Sequence, residues 1–358
     1  MKYTQLAVLV SAAMFLSSAN AAGSQDNLAE ITQSGDDNQA AVAQTANSTV
    51  NLANLIQTGS ANQATVLQTD SSLSAAQTVQ TGDANQLSVT QQGEDQNAQI
   101  TQTSDLSQLL LNQQGEANSA LVVQLGLTQS ASITQEDASN QADVNQSGLG
   151  NQLLLTQSGS SLDKGNEANI SQSGENDLAV ITQAGELNVA IIDQDSGSFG
   201  NSISINQSGE RNFAAAGTRL GDGSSVEITQ QGNDNVIMGG GNTPSNYGGL
   251  VGAGTKGSNN QLKIEQNGQG NRLYADAAQD QSKVDISQQG DFNLASVESW
   301  LGAENDISLV QTGEFQLADV YVEGGVNNQV SVLQYDANNV ASVHVLGSNN
   351  SATIIQAN

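Results

Sequence analysis

Apolar and amide side chains alternate with polar ones in short bursts along this chain, and the bursts return every 11 residues. The string Gln-x-Gly-x-x-Asn-x-Ala-x-x-x-Gln is spelled by Gln33, Gly35, Asn38, Ala40 and Gln44. It returns at Gln57, Gly59, Asn62, Ala64 and Gln68, at Gln113, Gly115, Asn118, Ala120 and Gln124, and at Gln183, Gly185, Asn188, Ala190 and Gln194. Each closing Gln opens the next unit. On this frame 28 consecutive units run from Ala22 to Gln356, eight of them with insertions of 1 to 14 residues. The first slot is Asn in 20 units, the second is apolar in all 28, the third is Ile, Leu or Val in 24, and the closing slot is Gln in 22. A frame kept over more than 330 residues is a structural repeat, and it dictates the architecture.

The four slots are two residues apart, with Ser, Thr, Gln, Asp and Glu dominating between them. A period of two puts the slots on one face of a β-strand and the intervening residues on the other. β-Branched residues in the third slot fit a pleated surface. The Gly-x-x stretch after each Gln is turn chemistry. A unit is therefore one strand and one tight turn. The second slot is Ala in 12 of 14 odd-numbered units, and Leu, Ile or Val in 9 of 14 even-numbered ones. Small against large is how two facing sheets interdigitate. The full rung is thus expected to be about 22 residues. The predicted fold is all-β: a two-sheet β-solenoid, a cross-β ladder of about 14 rungs, each of two strands and two turns, in a rod roughly 65–70 Å long. All five insertions after Asp193 are assigned to even-numbered units, hence to one edge. The largest, at 239–256, is Gly-rich, holds the single proline, Pro244, and is expected to be a loop.

Inward amides need partners, because burying one without them costs a few kcal/mol. A stack of identical rungs provides them, each amide donating to its copy on one side and accepting from the other. The expected structural ladder includes Gln33, Asn38, Gln44, Gln57, Asn62, Gln68, Gln113, Asn118, Gln124, Gln183, Asn188, Gln194, Gln207 and Asn212, with Asn350 and Gln356 in the terminal rung. Asn is also expected to bond the turn backbone. The repeat fills the chain from the expected cleavage site nearly to its end, leaving no capping segment. Uncapped rungs present open sheet edges to further copies, so the chain is expected to polymerise with itself end to end.

Composition narrows the function. Lys2, the apolar stretch Leu6 to Leu16 and Ala19-Asn20-Ala21 read as a secretory signal peptide over 1–21, with the repeat domain at 22–358. That stretch is too short to span a bilayer, so no membrane insertion is expected. An exported chain without cysteine has no disulfide framework. A formal charge of −28 with 8 basic residues excludes nucleic acid and anionic lipid as electrostatic partners. One His and no Cys allow neither a His/Cys metal cluster nor a Ser-His-Asp set. His344 falls on an outward position. Gly252 to Gly257 matches G-x-G-x-x-G without the strand-then-helix context that would bind phosphate. Ser161 to Lys164 matches S-x-x-K in an expanded turn, and Gly221-Asp222-Gly223 is an isolated echo of a calcium-binding turn. Trp300 begins a turn segment and is read as edge packing. Carboxylates such as Asp36, Asp37, Glu94, Asp95, Glu116 and Glu186 fall in turns, where repulsion between them delays premature assembly. No catalytic, cofactor or metal site is expected.

The tandem Gln-x-Gly-x-x-Asn-x-Ala-x-x-x-Gln string behind an export signal resembles the curlin repeat of bacterial curli fibre subunits. The resemblance covers nearly all of 22–358 and rests on the Gln, Gly and Asn slots named above. It implies an extracellular functional-amyloid subunit that crosses the outer membrane unfolded through a dedicated secretion pore. Assembly would be on the cell surface into biofilm matrix, serving adhesion, with a nucleator subunit as a further partner. The alternative is a monomeric β-solenoid binding a flat ligand such as ice or polysaccharide. That reading calls for an outward column of repeated Thr or aromatic residues, and read along the chain the outward positions look mixed.

Overall fold

The computed structural model describes residues 26–238 and 253–357. The signal peptide expected at 1–21 and Pro244 lie outside these residues. The described chain is strand and turn, without helix. Odd-numbered units form one sheet of 15 strands and even-numbered units another of 14, here called the odd and even sheets. Every pairing is parallel, between strands one rung apart. Leu28–Ser34 pairs with Leu52–Thr58, and Gln39–Thr45 with Gln63–Ser72. The result is a β-solenoid of 14 turns.

Identical slots stack because the register is in phase with the repeat. Ala98, Ile100 and Gln102 lie opposite Ala120, Val122 and Gln124. Within Asn97–Asp105 burial alternates as the period of two requires: Ala98, Ile100 and Gln102 are buried while Asn97 and Gln99 are exposed. One hydrophobic cluster runs the length of the rod, from Ala53 to Val345. Its odd side is largely alanine, as at Ala53, Ala76, Ala98 and Ala120. Leu87, Leu109 and Leu153 occur on the even side.

The turns are part of the ladder too. Gly59 has φ +114, and a Cβ there would fall inside the carbonyl of Gly82 one rung on, so only glycine fits. Two residues later Ala61 adopts φ 57, a left-handed conformation that costs a β-carbon roughly 1–2 kcal/mol. Its N–H donates to Asp36 O at 2.9 Å, and Ala84 N–H donates in turn to Ser60 O at 2.9 Å. The strain is thus offset by bonds between rungs.

Two expectations are corrected. The segment 239–256 is not a loop throughout: Ala253–Lys256 is a strand of the odd sheet, pairing with Phe213–Arg219 and with Arg272–Ala278. Val236–Ile237 pairs with the same two strands. The large insertion therefore interrupts an odd-numbered strand between its second and third slots, and Ala253 fills the slot that counting along the chain gives to Gly239. The assignment of all five late insertions to even-numbered units fails for this one. A fixed count from Asn235 cannot reveal where within a unit extra residues enter. Trp300, expected at the start of a turn, lies within strand Leu294–Ala303 and is buried.

Candidate assembly surfaces

The glutamine slots of the even sheet form one unbroken column. Gln44 Nε2 donates to Gln68 Oε1 at 2.9 Å, Gln68 to Gln91 at 2.8 Å, and Gln113 to Gln135 at 2.9 Å. The series continues through Gln183 to Gln207 at 2.9 Å and ends with Gln334 to Gln356 at 2.8 Å. All of these bonds run in one direction, from lower to higher rung. The second amide proton is used within the rung, as where Gln113 Nε2 donates to Asn97 O at 3.0 Å.

The odd column starts in the same way. Gln33 donates to Gln57 at 2.7 Å, Gln102 to Gln124 at 2.8 Å, and Gln172 to Gln194 at 2.8 Å. There it stops. The next six slots, in register above Gln194, are Thr218, Thr255, Ala277, Ser299, Val322 and Val345. All six exceptions to the closing glutamine therefore fall in one column. Among the described residues, the buried hydroxyls of Thr218 and Thr255 have no hydrogen-bond partner.

Asparagine stacks differently. Asn62 donates its backbone N–H to Asn38 Oδ1 at 3.0 Å, and its own Nδ2 donates to Gly82 O in the turn above at 2.7 Å. Asn188 and Asn212 repeat this, with Asn212 N–H to Asn188 Oδ1 at 3.1 Å and Asn188 Nδ2 to Gly209 O at 2.9 Å. Asn118 Oδ1 likewise accepts from Asn140 N–H at 2.9 Å. Asp177, in the same slot, accepts from Asn201 N–H at 2.8 Å and from Ser198 Oγ at 2.5 Å. Burial pushes its carboxyl up, against the lowering effect of these two bonds.

At both ends the column logic is left incomplete. The end strands Leu28–Ser34, Gln39–Thr45, Val340–Leu346 and Ser351–Gln356 each pair on one side only among the described residues. Their inward side chains Ile31, Ala40, Val42, Ala352 and Ile354 are only partly buried. Gln356 Oε1 accepts from Gln334, and its Nε2 donates to Val340 O at 2.8 Å, leaving a second amide proton. Asn350 N–H donates to Asn328 Oδ1 at 3.0 Å.

Register also reveals outward columns that the linear reading missed. On the even sheet Thr90, Asn112, Thr134, Thr156, Thr182, Asn206 and Thr229 stack in that order. The outward positions are therefore not wholly mixed, because residues 22 or more apart become neighbours only across strands. On the odd sheet Asp276, Glu298, Tyr321 and His344 stack. Burial, then the neighbouring Glu298 charge, pushes the Asp276 carboxyl up to about 7, with Lys256 opposing. Burial, then Asp319, pushes Glu298 up to about 7. Tyr321 lies against the half-exposed His344 ring, centroids 5.1 Å apart and planes tilted by 46°.

The isolated motifs assemble nothing. Lys164 pairs with Glu186 at 2.8 Å, which also accepts from Ser161 Oγ at 2.8 Å, within the expanded turn. Gly221–Asp222 pairs with Ser198–Phe199 in a two-stranded edge sheet. Ala253–Lys256 is strand rather than phosphate loop. Among the described residues, no group of three or more His, Cys, Asp or Glu could hold a metal ion, and no helix is long and apolar enough to cross a membrane. No curated protein matches the chain. The family model of the Curlin associated repeat matches residues 25–49, 200–232 and 280–313, three stretches that the stacked register places in one continuous solenoid, so the chain carries curlin-associated repeats there.

Proposed function

We propose that the protein is a structural fibre subunit that polymerises by stacking the last rung of one copy on the first rung of the next. The observation that carries this reading is the complementarity of the two ends. Glutamine amides of the even sheet all donate toward the C-terminal rung, so Gln44 presents an acceptor at one end and Gln356 a donor at the other. The end strands are parallel to their neighbours and open on one side, so a second copy continues both sheets in the same sense. In the odd sheet Gln33 meets Val345 instead of another Gln, making that column the weakest of the contact.

By family resemblance the polymer is an extracellular curli-like amyloid. Residues 1–21 act as the signal peptide, a secretion pore exports the chain, a nucleator starts growth, and the fibre serves biofilm matrix and adhesion. The Thr column on the even sheet gives the flat-ligand alternative one supporting feature. The column beside it runs Ser88, Leu110, Ser132, Leu154 and Val180, so the face is not a uniform lattice, and the fibre reading is the better supported.

Mature protein diluted from denaturant is expected to form fibres with a meridional reflection near 4.7–4.8 Å. A monodisperse monomer persisting for days overturns the proposal. Gln356→Leu is expected to slow elongation severalfold, and an unchanged rate removes the C-terminal rung from the growing contact.

A further inference from the structure

The even sheet has an uncharged half. Eight of its strands run from Gln39–Thr45 to Ser202–Glu210. None of the three central outward residues on any of them is charged: they are Ala, Ser, Thr, Asn, Gln, Leu and Val throughout. The same positions on the remaining six strands include Glu227, Lys263, Glu265, Lys283, Asp285 and Asp306. On the odd sheet the same positions are charge-free only over the four strands from Leu52–Thr58 to Ser119–Leu127, between Glu30 and Asp143, so the eight-strand run is the larger uncharged face of a chain of net charge −28. These outward side chains are exposed or half-exposed, Leu110 at 50% and Leu154 at 48% among them. A shallow depression of about 420 Å³ lies over this half, bordered by Gln63, Ser88, Leu110 and Ser132. The large insertion leaves and rejoins the other sheet, at Ile237 and Ala253.

We infer that this half-face is a lateral interface, on which two copies of the chain pack sheet to sheet. Two observations single out a second copy. The first is charge: copies of a strongly acidic rod repel wherever carboxylates face each other, and this half-face carries none. The second is area. Eight strands at about 4.8 Å by some 20 Å of strand give roughly 800 Å² per partner, the size of a standard stable interface. A twofold axis in the plane between the rods brings the patch onto itself, as an isologous contact requires. Ser and Thr with intervening Leu110, Leu154 and Val180 let the two faces interdigitate at the roughly 10 Å spacing of stacked sheets. The contact is independent of end-to-end growth, because it lies along the side of the rod.

The absence of cysteine makes the test clean. Ser132 lies in the middle outward column, near the centre of the patch, and Ser308 lies in the same column on the charged half of the even sheet, opposite Asp285. Copies carrying Ser132→Cys are expected to join through a bis-maleimide spanning the about 10 Å between stacked sheets at least about tenfold more than copies carrying Ser308→Cys. Adding Thr156→Glu and Thr134→Glu to Ser132→Cys is expected to abolish that excess. Equal yields at the two sites overturn the inference, as does an excess that survives the two glutamates. So does a Ser132→Cys thiol shielded by an insoluble polysaccharide but not by concentrated protein, which would give the face to a glycan. Failure of the end-to-end proposal shows separately, as soluble protein without fibres, and leaves the cross-linking comparison intact.

Discussion

At the residue scale the protein turns a usually costly act, burying amides, into its main specificity device. A buried glutamine needs both an acceptor for its N–H groups and a donor for its carbonyl. The even column gives both to every member from Gln68 to Gln334. The odd column shows what happens when the series ends. Gln194 Nε2 keeps only the within-rung bonds, to Leu178 O and Asn201 O at 3.3 and 3.2 Å, and the slot above it holds a hydroxyl without a partner. Thr218→Val removes that orphan at nearly constant volume. Equilibrium unfolding is expected to show the variant more stable by about 0.5–1.5 kcal/mol, since an unsatisfied buried hydroxyl penalises the folded state alone. A loss of stability would mean that Thr218 is hydrogen-bonded in solution.

At the element scale, what stacks on what decides behaviour, and the Asp276–Glu298 pair shows it. Strands Arg272–Ala278 and Leu294–Ala303 place the two carboxyls on successive rungs, with Glu298 4% exposed. Asp276 faces Glu298 and Lys256, while Glu298 faces Asp276, Asp319 and Tyr321. Both groups are held near 7 in the fold, above their ordinary values of 3.8 and 4.5. The folded chain therefore binds more protons than the unfolded chain between those values and about 7. Stability is gained as pH falls through that window and lost as it rises. Glu298→Gln removes one group and relieves the other. Relative to wild type, the variant is expected to gain on the order of 2 kcal/mol between pH 5 and pH 8 in denaturant midpoints, and a pH-independent difference contradicts this. The sequence displayed the strands, turns, parity of the sheets and inward amides, because each follows from a local period. It did not display this pair or the Thr column. Those are relations between residues 22 or more apart, visible only once the rungs are in register. Nor did it place the 14-residue insertion, since Gly239 and Ala253 are equally small and only pairing with Ala216 selects Ala253.

At the scale of the whole molecule, the proposed end-to-end growth calls for a brake on early assembly, and charge is the available one. Asp36, Asp37, Asp83 and Asp105 stand along one edge, and Glu94, Asp95, Glu116 and Asp137 along the other, in turns that stack rung upon rung. Each arriving copy would bring the strong net negative charge of its repeat domain to a fibre end that carries the same. At 20 mM salt the Debye length is about 20 Å, several rungs deep, whereas at 200 mM it is about 7 Å and only the contacting rungs interact. Raising salt between these limits is therefore expected to speed seeded elongation about three- to tenfold. Dissociation should change much less, because the contact itself consists of amide columns, backbone bonds and apolar side chains rather than ion pairs. An elongation rate that falls with added salt would show that growth depends on attraction between opposite charges, such as Arg211 and Asp234 on neighbouring rungs, and would place the growing surface along the edge of the rod instead of at its ends.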